Sequence, residues 1–440
     1  MDSGDSSIFI SIAAYRDPQL TPTVLDCIAK AANPRRLRFG VCWQRGEEEE
    51  RPPFFGQTGF RFVEVDWRQS RGACWARAEA MKLWRQEAWF LQVDSHCRFA
   101  AGWDEKLLRA AKSTGSQKPI LGSYATPFTP GGAEVLRPGP LRVALQAFGP
   151  DGIPQLRPAG FRRNPPAGQP VRARFLSAGF LFTVGDFVRE VPYDPDLYFM
   201  GEEIAMTVRA FTHGYDLFHP AETIVWHDYL RLDARKHWSD HGDSCGSEPS
   251  PPQFPESLGP SWSELDSISR RKVQRLLQNE PLGAFGLGSR RSLAEYEAYA
   301  GLSFSQRKAQ RYTIQGDEPP NPPAAPDWAQ SMYPWIVKVG IEPSQLPAAA
   351  RREPAVWYLT IQDAEGRELC QLDLPAERLL QLQCKGQEAP IVLIGEFFSD
   401  SIPAAWTLWP LSRAGGWLGP VSGRLPEGDF AIVKEADEAD

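Results

Sequence analysis

An α/β fold with a largely parallel sheet, followed by a small all-β domain, is what the sequence predicts. Three observations carry this. Apolar, strand-like runs alternate with stretches of helical periodicity through the first half of the 440 residues. A Pro-rich stretch, "GDEPPNPPAAPD" (316–327), reads as a linker. Beyond it, short strand-like runs follow one another with turn residues between them.

The elements run in order. "IFISIAA" (Ile8–Ala14) is a buried strand; Val24, Leu25, Ile28 and Ala32 then recur at helical spacing, and Asn33-Pro34 stops the helix. "RFGVCW" and "FRFVEVDW" are the next two strands, and "RGACWARAEAMKLWRQE" is a helix with Cys74, Ala78 and Met81 on one face. "WFLQV" is a fourth strand, Trp103–Ala111 a helix and "PILGSY" a fifth strand. Residues 126–172, rich in Pro, Gly and Arg, read either as a long excursion or as a hairpin insert. "RFLSAGFLFTVGDF" returns to strand character, "EEIAMTVRAFTHG" is a helix stopped by Gly214, and "TIVWHDY" is a strand ending on His227. Residues 262–312 read as helical, and "PWIVKVGI", "AVWYLTIQD", "ELCQLDL", "APIVLIGEFF" and "AWTLWPL" as short strands. The expected domains are 1–245, a helical segment and linker over 246–327, and a β-rich domain over 328–440.

Composition narrows the function. With 48 basic against 55 acidic side chains and a net charge of −7, the chain lacks the basic excess of a nucleic-acid binder. Seven cysteines, an odd number with no CxxC pair, fit a reducing compartment. The N-terminus lacks the features of a signal peptide, and no run of 18 or more apolar residues is present to span a membrane. The expectation is a cytoplasmic protein.

Where "WFLQVDSHCRF" leaves its apolar run, Asp94 and His96 stand two residues apart. Alternate residues of a strand share a face, so the two side chains would point together into the crevice beyond the strand end, where open α/β sheets bind ligands. A carboxylate and an imidazole with open positions suit Mn²⁺ or a similar divalent cation. Alone, the pair reads as a turn cap beside an exposed histidine. His227, also at the end of an apolar strand, could supply a third ligand, and three such residues at two strand ends favour a metal.

The motifs "AAYRDP", "RGACWAR", "QVDSHCRF", "WD" (Trp103, Asp104), "SAGFLF", "VPYDPDLYFMGEE" and "HDYLR" occur in this order. As a set, over roughly residues 7–240, they resemble the polypeptide N-acetylglucosaminyltransferases that attach GlcNAc to hydroxyproline of a cytosolic ubiquitin-ligase adaptor. That resemblance implies a GT-A, Rossmann-like domain, a retaining reaction, UDP-GlcNAc as donor and a polypeptide hydroxyl (hydroxyproline, Ser or Thr) as acceptor. It implies that Asp94 and His96 are the D-x-H form of the D-x-D motif, with His227 completing a Mn²⁺ site. Tyr15, Arg16 and Asp17 would lie at the nucleotide: Asp17 could accept from uracil or ribose, and Arg16 could face a phosphate. Read alone, "YRDP" is equally a turn with Pro18 opening a helix. Ser95, Arg71 and Arg77 join the donor-binding set, although Arg77 could equally back Asp94. Ala73 stands where the family carries Pro. Glu202 and Glu203 in "GEE" would face sugar or acceptor, with Glu203 the preferred catalytic carboxylate. Their plain reading is acidity favoured at a helix start.

Two other functions fit some of these observations: a non-catalytic carbohydrate- or protein-binding protein on the same scaffold, and a nucleotide-sugar hydrolase. The β-rich domain lies outside the resemblance. Its Trp357, Trp406, Trp409 and Trp417 are candidates for exposure, with most expected in the core. His213, His219, His237 and His241 read as structural or exposed.

Overall fold

The structure, a computed structural model, describes residues 6–130, 139–149, 151–161, 165–166, 168–231, 234–241, 262–322, 333–375, 379, 390–413 and 416–432. Cys245, Cys384, the expected boundary at 245 and the end of the Pro-rich stretch lie outside the described residues. The chain divides into two compact units. One comprises Met1–Ala144, Arg157–Phe304 and Tyr312–Ala325; the other comprises Leu145–Leu156, Ser305–Arg311 and Pro326–Asp440.

In the first unit, β1 (Ile8–Tyr15), β2 (Leu37–Arg45), β3 (Phe60–Asp66) and β4 (Trp89–Asp94) are parallel neighbours in the order β4-β1-β2-β3. Ile8, Ile10 and Ile12 of β1 share one face of the sheet with Val24 and Cys27 of α1 (Leu20–Lys30) and Trp103 and Leu107 of α3 (Trp103–Ser113). Cys42 packs on the other face with Ala76 and Ala80 of α2 (Ala73–Met81). Burial on both faces explains why these strands read as continuous apolar runs. As expected, α1 stops before Asn33-Pro34. Asp104, at the head of α3, accepts from the backbone N–H groups of Ala32 (2.7 Å) and Asn33 (3.0 Å), satisfying the chain just past α1. Trp103 is fully buried and donates to Cys27 O at 2.9 Å, so Trp103 and Asp104 are framework residues.

The other side of the sheet departs from all-parallel pairing. After β5 (Cys97–Phe99) come β6 (Pro119–Gly122) and β7 (Thr126–Pro127), then the two-stranded β8 (Leu141–Phe148) and β9 (Pro154–Gly160), which is the hairpin alternative for residues 126–172. The short β10 (Val171–Arg172) precedes β11 (Phe180–Val184), which lies between β4 and β6, antiparallel to both. The described residues between β6 and β11 hold no helix to carry the chain to the opposite end of the sheet, so β11 runs back. The next elements are α4 (Phe187–Glu190), α5 (Glu202–Thr212) and β12 (Asp216–His219), which pairs parallel with β6. Last comes β13 (Val225–His227), in a separate small sheet between β5 and β7, with His227 in register with Cys97. The segment α6 (His237–Asp240) and the helices α7 (Trp262–Leu277) and α8 (Leu293–Ala300) follow.

In the second unit, strands Tyr333–Ile341, Ile391–Ser399 and Phe430–Ile432 form one sheet, and Pro354–Gln362, Glu368–Pro375, Ala405–Ser412, Gly416–Trp417 and Val421–Arg424 another. Trp335, Val337, Leu393 and Phe397 of the first share a core with Trp357, Leu359, Trp406 and Leu408 of the second. The expected β-rich region is thus two sheets around one core.

Replacing Asp104 with Ala would leave two backbone N–H groups without an acceptor at a fully buried position. The expected loss is about 2 kcal/mol of stability or more, read as a lower urea midpoint; an unchanged midpoint rules out this framework role.

Candidate functional site

The order β4-β1-β2-β3 places β1 at the point where the sheet reverses its direction of growth, and the ends of β1 and β4 open there side by side. Beyond β4 the chain bends at Ser95 and His96 before β5. Thr23 of α1 holds that bend: its hydroxyl donates to Ser95 O (2.8 Å) and accepts from Cys97 N (2.9 Å). Asp94 and His96 therefore converge through a turn, not through simple strand alternation. Register with β5, plus a bond from Asp228 N to His96 O (3.0 Å), sets the end of β13 beside them.

One donor atom each from Asp94, His96 and His227 lies within 4.8 Å of the others. Asp94 Oδ2 stands 3.0 Å from His227 Nε2, and the two imidazole centroids are 4.4 Å apart. Two donors each ~2.1 Å from one ion, at a right angle, stand about 3 Å apart, so the cluster matches one cation's reach. Nδ1 of His227 is buried with no hydrogen-bond partner. A Cβ on Gly179 would come within 3.1 Å of Asp94 Oδ2, so the glycine of "SAGF" leaves room beside this oxygen. One carboxylate and two imidazoles, so arranged, fit a divalent metal ion.

Each member is braced. His96 Nδ1 meets Asp17 Oδ2 at 2.7 Å, which leaves Nε2 for a ligand. Asp17, 6% exposed, also accepts from Ser95 Oγ (2.6 Å), Arg231 Nη2 (3.2 Å) and Gln19 N (2.9 Å). Burial raises the Asp17 carboxyl pKa, but the bond to His96 and the charge on Arg231 outweigh it and hold the group well below its ordinary range. Burial, with His227 beside it, pushes His96 down to about 4. Arg77 donates to Asp94 Oδ1 at 2.6 Å and to Glu202 Oε1. Its charge overcomes the burial penalty and keeps Asp94 well below the usual carboxylate range.

The two glutamates of "GEE" part company. Gly201 has φ +83°, and a Cβ there would stand 2.9 Å from Val273 Cγ2, so the turn into α5 requires glycine. Glu202 turns inward to Arg77. Glu203 accepts from Tyr124 Oη on Oε2 and from Ala178 N on Oε1 (3.0 Å). Burial, only partly offset by these bonds, lifts Glu203 to about 7.

Of the other sequence candidates, Tyr15 donates to Asp240 Oδ2 at 3.0 Å, and Arg16 to Asp240 (3.3 Å) and Glu48 (2.6 Å). Arg16 and Arg231 carry positive φ, 45° and 43°, a sparsely populated conformation that concentrates at functional sites. Arg71 is exposed ahead of α2. His219 bonds Gly122 O (2.8 Å), His237 bonds Tyr198 Oη (2.8 Å), His241 faces Trp67 O (3.1 Å) and His213 faces Arg209 O (2.8 Å), so each has a partner within the protein. Tyr124, Arg231 and Asp240 were not singled out from the sequence; only Arg231, in "HDYLR", lay inside a motif.

A family model described as Glycosyltransferase (GlcNAc) matches residues 7–58 and 52–284, more than half of the chain. The chain belongs to the GlcNAc glycosyltransferase family. The braced cluster lies within the matched residues. No curated protein gives a significant match. Among solved structures, GalNAc-T7 with UDP, GalNAc and Mn²⁺ is similar at 16% identity and a TM-score of 0.42, over 52% of this chain and 45% of that one. S. aureus TarS 1–349 in complex with UDP-GlcNAc is similar at 12% identity and a TM-score of 0.33, over 50% and 58%. This chain thus spans less than half of GalNAc-T7. Among the described residues, no helix is long and apolar enough to cross a membrane.

Asp17→Asn keeps the shape of the brace but removes its charge. Mn²⁺ affinity, measured by calorimetry with UDP present, should fall about 10–100-fold. Unchanged affinity would mean that Asp17 does not support a metal ligand.

Proposed function

We propose that the protein is a metal-dependent glycosyltransferase that moves GlcNAc from UDP-GlcNAc to a polypeptide hydroxyl. The observation that carries this is the convergence of Asp94, His96 and His227 in a chain of the GlcNAc glycosyltransferase family. These three residues would hold Mn²⁺ or a similar cation, which supplies Lewis-acid stabilisation of the charge that develops on the departing UDP. The motif resemblance supports hydroxyproline, or Ser or Thr, as acceptor, retention at the anomeric carbon and a cytoplasmic setting.

Within this reading the residues divide the work. Arg77 fixes Asp94, and Asp17 fixes His96, so the donor set is organised before substrate arrives. Tyr15 and Arg16 would meet the nucleotide, with a phosphate replacing Asp240 on the Arg16 guanidinium; Ser95 would close the same side, and Arg71 would reach the donor from the mouth of α2. Glu203, with both oxygens held, would accept a hydrogen bond from the sugar or from the incoming hydroxyl. A carboxyl poised near neutrality is suited to taking up and returning that proton.

Incubation with UDP-GlcNAc, Mn²⁺ and hydroxyproline-containing peptides, followed by mass spectrometry, tests the proposal. A peptide gaining one N-acetylhexosamine supports it. UDP release without any peptide product would instead identify a hydrolase. UDP binding that is indifferent to EDTA and to Asp94→Ala would remove the metal from the reading.

Glu203→Gln should cost roughly 10²-fold or more in transfer while leaving UDP affinity nearly unchanged. In the wild type, transfer should rise with pH as Glu203 ionises around about 7; in the variant this limb should disappear. Stability should show the opposite sign. A carboxyl raised on folding contributes stability fully below its unfolded pKa and loses it as pH rises through about 7. The melting temperature of the wild type relative to Glu203→Gln should therefore decline across that interval; a constant difference would show that Glu203 does not titrate there.

A further inference from the structure

Tyr229 is 41% exposed, although its neighbours His227 and Asp228 are only 8% and 5% exposed. Its place is fixed at three points. Asp228 Oδ1 accepts from the backbone N–H groups of Leu230 and Arg231, each at 3.1 Å, which sets the turn that carries Tyr229. The ring centroid lies 4.1 Å from that of His227, tilted by 45°. The hydroxyl donates to Ala125 O at 2.8 Å. With that proton spent on a carbonyl, the phenol offers a ligand chiefly its ring.

The sheet gives the crevice a direction. In the order β6-β11-β4-β1, Tyr15 and Arg16 stand at the end of β1, Asp94 ends β4, and Ala178 and Gly179 lead into β11. Gly179 borders Asp94 Oδ2, while Ala178 N donates to Glu203. Tyr124, two residues past β6, holds the other oxygen of Glu203. Glu203 therefore lies on the side of the cluster away from β1. Tyr229 spans the interval between them: its ring lies against His227 of the cluster, and its hydroxyl ends on Ala125, the residue after Tyr124. A nucleotide sugar laid along this crevice has its nucleoside toward β1 and its diphosphate at the cluster, so its hexose enters that interval. The hexose is bonded directly to the diphosphate and is the first group to reach a ring packed on a proposed metal ligand. An electron-rich ring face favours the weakly positive C–H face of a pyranose and disfavours a phosphate. We infer that the exposed ring of Tyr229 is the surface against which the transferred hexose of the nucleotide sugar packs. The inference rests on the proposed transferase reading. It adds a contact that positions the sugar, apart from the cluster at the diphosphate.

The test compares UDP with UDP-GlcNAc, each titrated calorimetrically into the full chain with Mn²⁺ present. In Tyr229→Ala, affinity for UDP-GlcNAc should fall ~10-fold, as loss of an aromatic contact does, while affinity for UDP changes by less than about 2-fold. Tyr229→Phe keeps the ring and loses only the tie to Ala125, so it should retain most of the UDP-GlcNAc affinity. Retained UDP binding also shows that the alanine variant is folded with its cluster intact. Three results would each overturn the inference. One is an unchanged UDP-GlcNAc affinity in Tyr229→Ala. Another is an equal loss for UDP and UDP-GlcNAc, which would assign Tyr229 to the support of His227. The third is a loss confined to the KM for a peptide acceptor, which would place the ring at the acceptor instead. In all three the wild-type chain still binds UDP with Mn²⁺, and the transferase reading stands. Failure of the wild type to bind UDP at all would overturn that reading and this inference together.

Discussion

Arg77, 6% exposed, lies between the carboxylates of Asp94 at the end of β4 and Glu202 at the start of α5. A buried guanidinium is costly unless its hydrogens are spent on anions in good geometry. Here one fork reaches both, and Tyr193 lies 5.8 Å from the charge. Removing the arginine would leave two carboxylates in the interior without their cation, which explains why α2, β4 and α5 must come together as they do. The same contact sets the direction of Asp94: Oδ1 is committed to Arg77, so Oδ2 is the oxygen left facing His227.

A second constraint is the parallel pairing of β1 with β4, which ends with Ala13 opposite Asp94. From that register the chain needs only four more residues to bring Asp17 against His96. Asp17 then gathers Ser95, His96 and Arg231 around one carboxylate. The two carboxylates nearest the cluster thus act differently. On the proposed reading Asp94 would be a metal ligand, while Asp17 orients His96 through its far nitrogen, as supporting carboxylates around metal-binding imidazoles do.

How much of this was legible in the sequence depended on range. The strands of the first half were readable because burial on both faces leaves long apolar runs, and Asp94, His96 and His227 because they follow such runs. The antiparallel return of β11 was not, since periodicity carries no strand direction. Asp17 was read as a nucleotide contact; its bond to His96 joins residues 79 apart, and no spacing rule reaches that far. Tyr124 looked like the tail of a strand, and only the fold brings its hydroxyl to Glu203. In the C-terminal unit, four tryptophans were candidates for exposure with most expected in the core; two, Trp409 and Trp417, face out. Trp406 turns inward and Trp409 outward because they are three residues apart on one strand.

The divergence of Glu202 and Glu203 follows from helix geometry and has a chemical consequence. Consecutive helical residues point about 100° apart, so one "GEE" motif serves two environments. Glu202 receives a guanidinium. Glu203 receives only a phenol and a backbone amide, partners too weak to offset its desolvation, and its carboxyl rises to about 7. Glu202 is committed to the Arg77 guanidinium, whereas Glu203, held by neutral donors, stays oriented and still titrates. On the proposed reading Glu203, and not Glu202, would meet the incoming hydroxyl, while Glu202 secures the arginine that holds Asp94.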